Sequence, residues 1–130
     1  MNTTDIGRLG ERLAAKYLKK NGYKILELNK HQSHNEIDII AADKEFLVFV
    51  EVKTRSVKGG ELYLSYGSPA SAVTHGKRSR TVTAANEYIK NNRNKHTKKQ
   101  PRMDVIEVYL NKDDQKLLKL NHITDAFGAK

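Results

Sequence analysis

Two apolar runs decide the fold: Asn35-Glu36-Ile37-Asp38-Ile39-Ile40-Ala41-Ala42 and Phe46-Leu47-Val48-Phe49-Val50-Glu51-Val52-Lys53, separated by Asp43-Lys44-Glu45. Both are rich in Ile, Val and Phe. They predict strands over Glu36–Ala41 and Phe46–Lys53, joined by a polar turn. With Asp43 and Lys44 at the tip, Ala42 falls opposite Glu45 and Glu36 opposite Glu51. One face then carries Ile37, Ile39, Ala41, Phe46, Val48, Val50 and Val52. The other carries Glu36, Asp38, Ile40, Leu47, Phe49, Glu51 and Lys53. A one-residue slip would mix the two sets, which is why this parity is expected. On the second face, carboxylates gather at one end, with neighbours on the order of 5–8 Å apart.

Facing carboxylates repel, and a strand pair that needed only solubility would avoid them. A divalent cation reverses that penalty, and Mg²⁺ and Mn²⁺ prefer carboxylate and water oxygens. Lys53 stands two residues beyond Glu51 on the same face. Metal, carboxylates and an ammonium are what phosphodiester hydrolysis uses: the ion activates water, and the lysine orients it or offsets developing charge. Glu-x-Lys alone is commonplace at strand ends. Asp38 on the adjacent strand and the same face strengthens the signal.

Outward from the hairpin, Ile6, Leu9, Leu13, Tyr17 and Leu18 recur at helical spacing, which predicts a helix over residues 5–20. Gly22 suits the position just past its end. Residues 23–29 read as a short strand and Ser56–Ser68 as a polar, Gly-rich loop. Ser68-Pro69 opens a second helix that runs to about Asn91, interrupted near Gly76. Residues 90–100 read as a basic mobile loop, Met103–Leu110 as a strand and Lys116–Leu120 as another. The order αβββαββ predicts a single α/β domain over residues 1–130, a mixed sheet flanked by helices.

The 130 residues hold 24 Lys and Arg, 15 Asp and Glu and no Cys, for a net charge of +9. This length supports a core without staples. Disulfides and Cys-type zinc sites are excluded. His31 and His34 have no recognised zinc spacing. The longest apolar stretch, Phe46–Val50, is too short to span a bilayer. The start lacks the charged and apolar regions of a signal peptide, so a cytoplasmic location without membrane association is expected. The positive charge favours a polyanion, nucleic acid first.

Asp38 followed by Glu51-x-Lys53 resembles the core of the PD-(D/E)xK nucleases. The whole chain resembles the YraN family of small bacterial proteins, which are similar to archaeal Holliday-junction resolvases. Gly7, Gly10-Glu11, Ala14-Ala15 and Tyr17-Leu18 match the opening helix. Glu36-Ile37-Asp38 and Phe49-Val50-Glu51-Val52-Lys53-Thr54-Arg55 match the hairpin, the most specific segment. Lys77, Ala85, Arg102 and Asp104-Val105 match later positions. Ile37 replaces the motif's proline, and Asn35 stands where the family usually has glycine. The resemblance implies a restriction-endonuclease-like fold, Asp38 and Glu51 as ligands of Mg²⁺ or Mn²⁺, Lys53 as the catalytic lysine, and Glu11 as an accessory acid; Glu36, placed on the same strand face by its spacing, is a further candidate to assist. Resolvase-like relatives act as dimers that match the two-fold symmetry of a junction, so a homodimer is among the expected states.

The candidate nucleic-acid contacts are Arg55, Lys77, Arg80, Lys98 and Lys99, the last two within the basic run that includes Arg93 and Lys95. DNA is favoured over RNA. Tyr63 and Tyr66 are candidates to stack on unpaired bases, although loop tyrosines more often cover a core. Arg102 and Asp104 read as a structural ion pair. Two other classes compete with a nuclease: a nucleic-acid-binding module without chemistry, and a protein-interaction domain on which the basic surface is incidental.

Overall fold

A computed structural model describes residues 3–32, 35–58 and 75–127, with side chains from residue 5 onward and, in the last segment, from residue 80. In chain order the elements are α1 (Thr3–Lys20), β1 (Lys24–Gln32), β2 (Asn35–Ala42), β3 (Phe46–Val57), α2 (His75–Asn91), β4 (Gln100–Asn111) and β5 (Leu117–Phe127). They build one five-stranded sheet in the order β1-β2-β3-β4-β5. Only the β3–β4 pair is parallel, the crossover being made through α2. This is the expected α/β architecture, consistent with a restriction-endonuclease-like core.

The central strands explain the apolar runs. Leu47, Val48, Phe49 and Val50 on β3 are at most 1% exposed, because helices cover both faces of the sheet. α1 packs Ala14, Ala15 and Leu18 against Ile39, Ala41, Val48, Val50, Ile106, Val108 and Leu110. α2 packs Ala84, Ala85 and Tyr88 against Ile40, Leu47, Phe49, Met103 and Val105 on the other face. Truncating a residue such as Phe49 to Ala in such a core costs about 3–5 kcal/mol.

The hairpin register differs from the expected one by two residues. Ala42 pairs with Leu47 and Ile39 with Val50. Asp43 causes the shift. Its N–H donates to the Phe46 carbonyl, and its carboxylate accepts from the N–H groups of Glu45 and Phe46, which closes a longer tip. A shift of two preserves the parity of the paired region. Ile37 is a second departure: it joins Ile40 and Phe49 on the α2 side instead of joining Ile39.

Further corrections are local. β3 runs to Val57, so Ser56 and Val57 are strand and not loop. Residues 92–99 form a hydrogen-bonded turn: the Asn94 side chain accepts from His96 and Thr97 N–H groups, and Lys99 N–H donates to the His96 carbonyl. β5 extends to Phe127, well past Leu120. His34, Tyr63, Tyr66 and the proposed cap at Ser68-Pro69 lie outside the described residues.

Candidate functional site

α1 reaches β3 through a glycine. Gly10 is buried, and a Cβ placed on it would collide with the Thr54 hydroxyl oxygen. The bare backbone therefore lies against Thr54, and the next residue, Glu11, is brought over the β2–β3 junction.

The paired ladder between β2 and β3 runs from Ala42–Leu47 to Ile39–Val50. Beyond it, the Val52 N–H is received by the Asp38 carboxylate, at 2.8 Å. A side chain has taken over a bond that a ladder would make, so the strands fork and Asp38 sits in the fork. With Ile37 turned to the α2 side, Glu36 and Asp38 turn toward α1. Glu11, Glu36 and Asp38 each offer a carboxylate oxygen there, all within 4.8 Å of one another, and all three are half-buried.

Glu51 and Lys53 lie on β3 just past the fork. Val50 and Val52 pack toward α1, so alternation sends Glu51 and Lys53 to the other side of the strand. Glu51 is 6% exposed and lies 3.5 Å from the Lys53 ammonium. Two basic side chains border the trio: Arg8 is 3.4 Å from Glu11, and His31 is 3.5 Å from Glu36.

The donor set fits a hard divalent cation. It is all carboxylate, from three residues, and part-shielded from water. The closest trio joins Asp38 to Glu11 and Glu36, and Glu51 stands outside it. The expected metal pair was Asp38 with Glu51; the carboxylates gathered around Asp38 are instead those of Glu11 and Glu36. The pull of Glu11 and Glu36 toward Asp38 depends on the Gly10–Thr54 contact and the turn of Ile37, which no spacing on a single strand encodes.

The candidate phosphate contacts are scattered. The Arg55 Nε donates to Glu107 at 3.1 Å, which turns this guanidinium inward. Arg80 is exposed on α2, and Lys77 lies in its first turn, with its side chain outside the described residues. Lys98 is exposed, while the Lys99 ammonium donates to the Asp43 carbonyl at 2.6 Å. Both lie next to Gln100, which pairs with Phe46 at the start of β3. From Phe46 to Glu51 is about 16 Å at a strand's rise of roughly 3.3 Å per residue. The fork and the basic turn are therefore at different ends of β3.

Two buried acids support the scaffold. Glu107, fully buried on β4, accepts from Arg55 and from the Tyr109 hydroxyl. Glu107 was not singled out from the sequence, although an acid inside the apolar run Val105–Leu110 signals a buried partner. Asp104 is held by Arg102 Nε at 2.9 Å, Arg102 Nη2 at 2.8 Å and His122 Nε2 at 2.7 Å. This realises the expected Arg102–Asp104 pair. Burial alone would raise the Asp104 carboxyl, but the bonds from His122, Arg102 and the Asp125 N–H hold it below the usual range.

Among described residues, no helix is long and apolar enough to cross a membrane. The model of the uncharacterised protein family UPF0102 matches residues 10–108. The chain is 45% identical over 127 residues to the UPF0102 protein TTE1452 of Caldanaerobacter subterraneus subsp. tengcongensis, covering 98% of each chain. It is 44% identical over 126 residues to a UPF0102 protein of Clostridium perfringens, covering 94% of this chain and 93% of the relative. A Clostridium botulinum relative is 49% identical over 107 residues, with 82% and 81% covered. The chain with this forked hairpin and its three gathered carboxylates belongs to the UPF0102, or YraN, family.

Proposed function

We propose that the chain is an endonuclease that uses Mg²⁺ or Mn²⁺ and acts on DNA, with branched or damaged structures as its preferred substrates. The carrying observation is the gathering of Glu11, Glu36 and Asp38 oxygens within 4.8 Å at the fork. A divalent ion bound there would lower the pKa of a bound water and polarise a phosphoryl oxygen. Asp38 is the pivotal ligand, because its bond to the Val52 N–H holds the carboxylate at the fork. Glu11 and Glu36 complete the oxygen donors. Lys53, a third exposed and restrained by Glu51, leaves from the other side of β3, so its part in the proposed reaction is to reach past the fork and offset charge on the phosphorane. In the reaction, water adds to phosphorus, one P–O bond breaks, and the proton leaves with the departing oxygen.

The net charge of +9 supports a polyanionic substrate. Purified protein is incubated with supercoiled plasmid and with a four-way DNA junction in Mn²⁺. Wild type is expected to cut, while Asp38→Asn and Lys53→Met retain binding and lose cleavage. Identical products from wild type and Asp38→Asn would sink the reading. DNA binding that ignores Mn²⁺, with no cutting of either substrate, would instead favour a non-catalytic binding module.

A further inference from the structure

α1 and β5 leave a groove between them at the edge of the sheet. Its lining is Leu13, Lys16, Tyr17 and Lys20 from the helix, with Leu117 and Leu120 from the strand, and it encloses about 290 Å³. Leu117 is one of two large apolar side chains exposed among the described residues, at 46%. Lys16 and Lys20 lie one helical turn apart on the rim, both exposed, with no ion pair among the described residues. No carboxylate lines the groove. β5 is the last strand of the sheet, so its outer edge offers backbone donors and acceptors.

We propose that this groove docks a short acidic peptide segment of a partner protein, laid along the β5 edge with one apolar anchor side chain in the groove. The groove, about 290 Å³, has room for one or two side chains. Charge selects the occupant. A second copy docked by two-fold symmetry sets the same patch against itself and brings Lys16 and Lys20 toward their own counterparts. A nucleic acid backbone satisfies the lysines and leaves the exposed Leu117 without an apolar cover. An acidic segment with an apolar anchor satisfies both parts. Strand addition supplies main-chain bonds, and the pocket for every second side chain supplies selectivity.

The test is fluorescence anisotropy of the full chain with a panel of labelled decapeptides. Each carries Asp and Glu around a central Leu, Phe, Trp or Ala. The acidic peptides with apolar anchors are expected to bind, more weakly as salt rises. Leu117→Asp is expected to weaken them about tenfold or more, as removal of a buried leucine's apolar surface implies. Lys16→Glu combined with Lys20→Glu is expected to weaken them as well. All three positions are exposed, so an unchanged melting temperature separates a lost site from a lost fold. The proposal is overturned if no peptide binds at low salt, or if the Ala peptide binds equally, which would be charge attraction alone. It is also overturned if either variant leaves affinity unchanged. A wild-type dimer by sedimentation that Leu117→Asp turns into a monomer would make the groove a self-contact, and the proposal would fall.

Discussion

Asp38 carries two loads on one side chain, and they can be separated. Its carboxylate accepts the Val52 N–H, and its charge sits with those of Glu11 and Glu36. Asparagine retains an acceptor and removes the charge, whereas alanine removes both. Without metal, Asp38→Asn is expected to melt at or above the wild-type temperature, because mutual repulsion is relieved. Alanine is expected to cost about 1–3 kcal/mol for the unsatisfied N–H. Adding Mn²⁺ should raise the wild-type melting temperature by several degrees, since an ion at 100 times its Kd adds about 2.7 kcal/mol. Neither variant should show that rise, and an equal rise in all three proteins would remove the trio as the metal site. Gly10 is the other decisive residue. Gly10→Ala drives a methyl into the Thr54 side chain and is expected to cost about 1–3 kcal/mol. Denaturant melts of Gly10→Ala with and without Thr54→Ala check this: the second change should recover part of the stability, with the Thr54 Cβ contact at 2.9 Å still in the way. The identities of the acids were readable in the sequence because carboxylates interrupt apolar strands. Their partnership was not, because Glu11 is joined to Asp38 by helix packing across 27 residues of chain.

At the scale of elements, α1 is tied to the sheet by more than apolar contact. Tyr17 on α1 lies 3.0 Å from His122 Nδ1, and His122 Nε2 lies 2.7 Å from Asp104 on β4. A carboxylate only accepts, so His122 donates to Asp104 from Nε2, and its Nδ1 lies within hydrogen-bond distance of the Tyr17 hydroxyl. Arg102 completes the chain by donating to Asp104 and to the Tyr23 hydroxyl, just before β1. The depressed Asp104 carboxyl sets the sign of the pH dependence. Its stabilising contribution is fully present above the unfolded carboxyl value near 4 and is lost as pH falls through the lower folded value. Asp104→Asn is therefore expected to destabilise at neutral pH by about 3–5 kcal/mol, because Arg102 is left largely buried beside a neutral group. Urea melts at a series of pH values should show the gap between the two proteins narrowing below about pH 4. A gap independent of pH would mean that Asp104 acts through shape and not charge. Element order and type were legible from periodicity and turn residues. The hairpin register was not: one side chain, Asp43, chose the turn, and a shift of two leaves the apolar pattern of the paired strands unchanged.

Across the whole molecule, charge is distributed so that the acids gather at the fork while Lys98 and Lys99 lie at the other end of β3. Composition supplies the +9, and only the fold shows that the two lysines differ. Lys99 is half-buried and fastens the turn before β4 to the hairpin tip through the Asp43 carbonyl. Lys98 is exposed beside Lys90 and Arg93, around a hollow of about 280 Å³ at the end of α2. If DNA runs from the fork to this end, Lys98 touches a phosphate and Lys99 is structural. Removing one lysine–phosphate pair should reduce the slope of log K against log salt by about 0.9 for duplex DNA. Lys98→Gln is thus expected to lower that slope by this amount and leave the melting temperature unchanged. Lys99→Gln is expected to lower the melting temperature and to move the slope less. The measurement is a salt series of DNA binding in the absence of divalent ions, so that cleavage does not enter. An unchanged slope in Lys98→Gln would confine the DNA path to the fork, and the basic turn would then serve only to join α2 to the sheet.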